Sequence, residues 1–223
     1  MLGSMGGTLV DYYVKGGMTM HPMLLCSILG LIIIIERGIV LHRIKLNTAQ
    51  VFGAVRERLI HGDLKGAIAV CDQYQGPIAD TLRAGLLRYG KPASEIEKAI
   101  ESVALHELSK LERGLWILAS VANIAPLFGF LGTVTGMISA FGALAEVGLG
   151  NPKAVAAGIS EALITTAFGL FIALPVQAAY NYFTSRIGTF ALDMETSSAM
   201  LLETFNEIED QHPRGIREPV PAT

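Results

Sequence analysis

Three stretches of this chain lack charged side chains, and each is long enough to cross a lipid bilayer. Gly114–Ala145 runs for 32 residues without Asp, Glu, Lys or Arg, and Ala162–Ser185 runs for 24. Met18–Ile35 is a third such run, interrupted only by His21. An α-helix of about 18–20 apolar residues covers the roughly 30 Å of hydrocarbon in a membrane. The chain therefore reads as an all-α membrane protein with three transmembrane helices, at 18–37, 114–145 and 154–185. Composition agrees: 17% of the 223 residues are charged and 51% are hydrophobic, whereas a soluble domain carries about a quarter charged residues. Mean hydropathy is +0.47.

The first run is not expected to be a cleaved leader. It has no basic segment before it and starts late, and Glu36-Arg37-Gly38 follows it in place of a small-residue cleavage site. Net charge is −3 with no basic block, so nucleic acid is not an expected partner. Cys26 lies in the first span and Cys71 in the polar part, which argues for two ordinary thiols and against a disulfide scaffold.

Positive charge sets the expected orientation. Arg37, Arg43 and Lys45 follow the first span, Lys110 and Arg113 precede the second, and Arg186 follows the third; the opposite ends offer only Lys15 and Lys153. Residues 1–17 are thus expected outside, 38–113 in the cytoplasm as a helical domain, 146–153 as an outside loop and 186–210 as a cytoplasmic helix. Residues 211–223, rich in Pro and charge, are expected to be a disordered tail.

Within 38–113 the pattern predicts short helices at 47–60, at 62–73 with Asp63 as N-cap, and at 77–90, the last stopped by Gly90 and Pro92. Ser94 and Glu97 have capping-box spacing. Ile96, Ile100, Val103, Leu108, Leu111 and Leu115 then lead into the second span. Residues 94–145 are accordingly expected as one helix of about 78 Å, at about 1.5 Å per residue. After Arg186, the residues Ile187, Phe190, Met194, Leu201, Phe205 and Ile208 form a stripe near heptad spacing. The second and third spans are both expected to extend into a cytoplasmic helical bundle.

Polar residues inside the spans carry the functional signal. Gly132, Gly136 and Ala140 recur every four residues, and Gly129 adds to the same region. Such a flat face admits another helix at close range, from this chain or from another copy. Thr133 lies about 100° around the helix from Gly132. A membrane threonine can return its hydroxyl to the i−4 carbonyl and need no further role, a reading that fits Thr135. Thr133, Thr165 and Thr166 fit it less comfortably as a group. Glu161 either reaches from the outer end of its span to water or faces a cavity. Thr165 lies about 40° from Glu161 and Thr166 about 140° from it, so both threonines cannot face one narrow cavity squarely. Glu36 and Glu161 lie toward span ends, and no other acid is intramembrane. Hydroxyls can hold a water wire, but a titratable group at mid-membrane would have to come from another chain.

The segments GFLGTVTGMISAF and GISEALITTAFGLFIALPVQAAYNYF resemble the two signature spans of the MotA/TolQ/ExbB proton-channel family, and IIIIERGIVL resembles the end of its first span. Three spans with an outside N-terminus are similar to ExbB and TolQ, whereas MotA has four. The resemblance implies a ring-forming homo-oligomer, typically a pentamer, in the bacterial inner membrane. The ring would surround an ExbD- or TolR-like single-span partner that carries an intramembrane Asp. Protons are the implied coupling ion and no cofactor is expected. Proton flow would drive rotation, passed to a TonB- or TolA-like protein. By position, the proton-pathway residues implied are Thr133, Thr166 and Glu161.

The alternatives are a non-conducting scaffold, a TolQ-like envelope-integrity unit and a gliding-type motor. An enzyme is not expected, for the spans hold no paired Asp and no Ser/His dyad, and the chain holds no HExxH and no nucleotide loop. The missing central acid makes one outcome specific. In sealed vesicles the purified chain alone should pass no protons above the background of empty vesicles, and a single-span partner with a membrane Asp should start the flux. Full conductance from this chain alone would refute the need for an acid from a second protein.

Overall fold

Helices account for every regular element that the structure, a computed structural model, describes in residues 9–44, 48–74, 76–148 and 152–211. In chain order they are α1 Leu9–Lys15, α2 Met20–Arg43, α3 Thr48–Ile60, α4 Leu64–Gln73, α5 Pro77–Leu86, α6 Ala93–Glu112, α7 Leu115–Val147 and α8 Pro152–Gln211. Among them α2, α7 and α8 are long and apolar enough to cross a membrane, α2 holding a window of mean hydropathy 2.4. Lys45, residues 1–8 of the expected leading segment, 149–151 of the expected loop and the expected tail beyond Gln211 lie outside the described residues.

The chain divides into two compact units. The first takes the described residues up to Gly38 together with Gly114–Phe183, which is α1, most of α2, α7 and the first half of α8. Its buried apolar residues include Met20, Met23, Leu118, Val121, Ala125, Ala140, Ala162, Ile172, Val176 and Phe183. Gly30 of α2 packs against Val176 of α8 and Val121 of α7, so all three apolar helices meet there. Elsewhere their large apolar side chains stand exposed, Phe171, Leu174, Leu163 and Phe130 among them. That is the pattern of helices solvated by lipid or by other helices. Near the end of α2, Arg37 is buried and pairs with Glu36 at 2.7 Å.

The second unit takes Ile39–Arg113 and the described residues from Thr184 onward. Its core holds Val51, Val55 and Leu59 of α3, Ala67 and Cys71 of α4, Ile78, Leu82 and Leu86 of α5, Ile96 and Ile100 of α6, and Met194, Leu201 and Phe205 of α8. The stripe after Arg186 is therefore the buried face of α8. Tyr89 meets Phe205 edge-on at 4.9 Å, and Gly85 sits where a Cβ would touch Leu201 and Ile100. Asp63 caps α4 by accepting from the Gly66 N–H at 2.8 Å.

Three local expectations are corrected. Residues 94–145 do not form one helix, because Arg113 is extended (φ −54°, ψ 127°) and Gly114 is left-handed (φ 82°). Glycine takes that conformation without the Cβ clash that other residues suffer, so Gly114 ends α6 and α7 restarts after it. The Ser94–Glu97 capping box does not form either. The N–H groups of Glu95 and Ile96 already bond Pro92 O, so the helix starts at Ala93 and Ser94 is inside it. Finally, α5 stops at Leu86, four residues short of the expected end, because Arg88 and Tyr89 bond three residues back, to Gly85 and Leu86, and tighten the chain into turns before Gly90.

Burial pushes the Cys71 thiol up to about 11, with Asp72 and Asp80 adding to the rise and Arg83 opposing it. The folded thiol holds its proton more tightly than the unfolded one, whose value is 9.0. Its stabilising contribution is thus complete below pH 9 and is lost as pH rises toward 11. Thermal unfolding of the full chain in detergent should shift to lower temperature across that window, and Cys71→Ala should flatten the decline.

Candidate functional site

Close approach of α7 and α8 organises the spans. A Cβ at Gly129 would stand 3.0 Å from Thr165 O and 3.4 Å from Gly169 Cα, and one at Gly136 would stand 2.7 Å from Gly158 O. Conversely, a Cβ at Gly158 would meet Gly136 O at 2.6 Å and Ala140 Cβ at 2.9 Å, and one at Gly169 would meet Ala125 O at 2.8 Å. A Cβ at Gly132 would fall on the Thr165 side chain. Gly132, Gly136 and Ala140 thus face α8 of their own chain, through Thr165, Ala162 and Gly158. The two backbones touch because no side chain separates them.

The three threonines take different places along this contact. Thr165 is fully buried against Gly132, and its hydroxyl donates to Ala162 O at 2.9 Å and Glu161 O at 3.1 Å. Thr166 is half-buried at the edge of the contact, and its hydroxyl reaches across to Gly129 O at 3.2 Å or back to Ala162 O at 3.3 Å. Thr133, one turn beyond Gly129 on α7, donates to Phe130 O at 2.6 Å. It also lines an open groove of about 530 Å³ with Val134, Met137, Ile138 and Phe141. Each hydroxyl proton is thus committed to a carbonyl, while the oxygen lone pairs stay available to accept. Thr135 likewise bonds its own helix, at Leu131 O and Gly132 O.

Glu161 is half-buried. One turn from Thr165, it meets a different neighbour: its carboxylate lies against Gly17, in the turn between α1 and α2. The contact was not legible beforehand, although Gly16-Gly17 directly before an apolar run was a visible signal. Asn123 was also passed over. It is exposed on α7 and donates to Ala119 O at 2.8 Å, and it shares the groove's face, lying about five turns from Phe141. Its presence inside a charge-free run of 32 residues could have drawn notice. Pro126 in α7 and Pro175 in α8 lack an N–H, so Ala122 and Phe171 carbonyls have no i+4 helical donor.

Comparison with known proteins gives the arrangement its context. Residues 73–196 match the MotA/TolQ/ExbB proton channel family. A protein of Methanothermobacter thermautotrophicus, named as a biopolymer transport protein ExbB homolog, is 35% identical over 182 residues, 81% of this chain and 64% of its own length. An ExbB-like protein of Synechocystis is 36% identical over 171 residues, covering 74% of this chain and 66% of itself. The Tol-Pal system protein TolQ of Pseudomonas aeruginosa is 32% identical over 184 residues, 76% of this chain and 78% of that protein. The chain thus spans just under two thirds of the first two relatives.

Packing along α7 and α8 is directly testable. Gly136→Val places a side chain against Gly158 O and should cost about 1–3 kcal/mol, as overpacking does. Gly142→Ala, where a Cβ would meet nothing within 4 Å, should be neutral. Thermal unfolding of the two variants in detergent compares them.

Proposed function

Since this chain belongs to the MotA/TolQ/ExbB proton channel family, whose members are inner-membrane proteins, we propose that it is the channel and motor subunit of a proton-driven complex. In this reading the first unit lies in the membrane, with the N-terminus outside, and the second lies in the cytoplasm. Copies of the chain form a ring, a pentamer by analogy with the family. The ring encloses an ExbD- or TolR-like partner, whose intramembrane Asp takes up and releases the proton. The mechanical output passes to a TonB-like protein and energises outer-membrane transport.

The observation that carries the reading is the placement of hydroxyls without an acid. Thr166 reaches the carbonyl of Gly129, and Thr133 stands one turn further along α7 on the open groove. Their lone pairs can accept from water or from a protonated carboxyl, and their own protons stay with backbone carbonyls. Neither hydroxyl titrates in the working range, so neither can trap the moving proton. Glu161 stands toward the Pro152 end of α8, outside in the proposed topology. There it attracts protons to the mouth without replacing the partner's acid.

Replacing a hydroxyl by an isosteric methyl tests the path. Thr133→Val and Thr166→Val should each lower partner-dependent proton flux in vesicles about five- to tenfold, near the net worth of one hydrogen bond. Assembly with the partner, followed by copurification, should persist. Undiminished flux in both variants would remove the two threonines from the path.

A further inference from the structure

Gly17 has no room for a side chain, and what fills the space is the Glu161 carboxylate. Its φ is +67°, and a Cβ built there would overlap Glu161 Oε1, with Cδ at 3.1 Å and Cγ at 3.8 Å. The neighbouring Gly16 is different, for a Cβ there would meet the Met20 side chain and, at 3.4 Å, Tyr12 O, all from its own stretch of chain. Gly17 lies three residues before α2, in a turn closed by the Met20 N–H on Gly17 O at 3.3 Å and the His21 N–H on Met18 O at 3.3 Å. A glutamate near the end of a membrane helix can swing toward water. Here it lies half-buried against the turn between α1 and α2 instead.

We propose that Gly17 is the positioning residue for Glu161: its missing side chain seats the carboxylate against the turn that leads into α2 and fixes it beside the mouth of the proton path. The proposal rests on the channel reading for its consequence, since Glu161 must be held for flux to depend on Gly17. The seat itself is a matter of geometry within one chain.

Two readouts separate these. The first is the rate at which a hydrophobic carbodiimide modifies Glu161 in the assembled full-length protein, followed by mass spectrometry of its peptide. Gly17→Ala should raise that rate, because the carboxylate must leave its seat. The second is partner-dependent proton flux, which should fall about tenfold or more, as expected when a working group is misplaced by an ångström. In a Glu161→Ala background, adding Gly17→Ala should cost no further flux, although the backbone strain of alanine at positive φ is still present. Gly17→Ala with Glu161→Asp should conduct better than Gly17→Ala alone, because the shorter acid fits. If Gly17→Ala fails to assemble, Gly17→Asn repeats the collision in a residue that tolerates the left-handed conformation. An unchanged modification rate, or a Gly17→Ala loss that persists in full without the Glu161 carboxylate, overturns the proposal. A wild-type complex that passes no protons overturns the channel reading instead, and the carbodiimide rate still decides whether the seat exists.

Discussion

Contact between α7 and α8, backbone against backbone, is the constraint on which the membrane unit depends. In lipid no hydrophobic gain comes from bringing two apolar helices together, so the contact rests on dispersion at short range and on hydrogen bonds across it. Glycine at 129, 132 and 136 on one helix, with Gly158, Ala162 and Gly169 on the other, makes the short range attainable. The unit's three threonines near the contact are then placed by it. Thr165 is enclosed, Thr166 is brought within reach of a carbonyl on the other helix, and Thr133 is left on the open groove.

On the proposed channel reading, that arrangement separates the chemical tasks of moving a proton. Hydroxyls and carbonyls can pass hydrogen bonds along but cannot hold a charge near neutral pH, and a carboxylate can. The first unit has hydroxyls along the α7–α8 contact, and the acids of its three long helices, Glu36, Glu146 and Glu161, stand toward the ends of the apolar runs, with Asp11 in α1. In that reading such a chain is half of a device, and a partner supplies the acid. Pro126 and Pro175 are compatible with the same logic, because a backbone carbonyl without a helical donor is tolerable at membrane depth where a neighbour or water can serve it.

The second unit is built differently. Its helices bury one apolar face each and leave charge on the other, with ion pairs such as Arg83–Asp72 at 2.8 Å and Arg56–Glu207 at 3.2 Å on the surface. Exposed pairs of this kind are worth little, so the core carries the unit. Buried apolar contacts from α3, α4, α5, α6 and α8 converge there, and residues near the centre, Val55, Leu82 and Leu201, are wholly enclosed.

Hydropathy alone determined the three membrane helices and the helical class. A charged side chain in hydrocarbon is costly, so charge is kept out of a span, and runs of 24 and 32 residues without any are what that cost leaves behind. The stripe after Arg186 and the Asp63 cap were also legible, since each depends on residues a few positions apart along one helix. Gly114 was not, for a glycine between two helical patterns reads the same whether the helix continues through it or ends there. Nor was the identity of the helix facing Gly132, because a flat face does not name its neighbour. Only the tertiary structure decided that this neighbour is α8 of the same chain, that Thr165 and Glu161, a turn apart, look at Gly132 and Gly17 respectively, and that Thr166 bonds across the contact. Those facts depend on the rotation and depth at which separate helices meet. Spacing within each helix leaves both free, and packing between them does not.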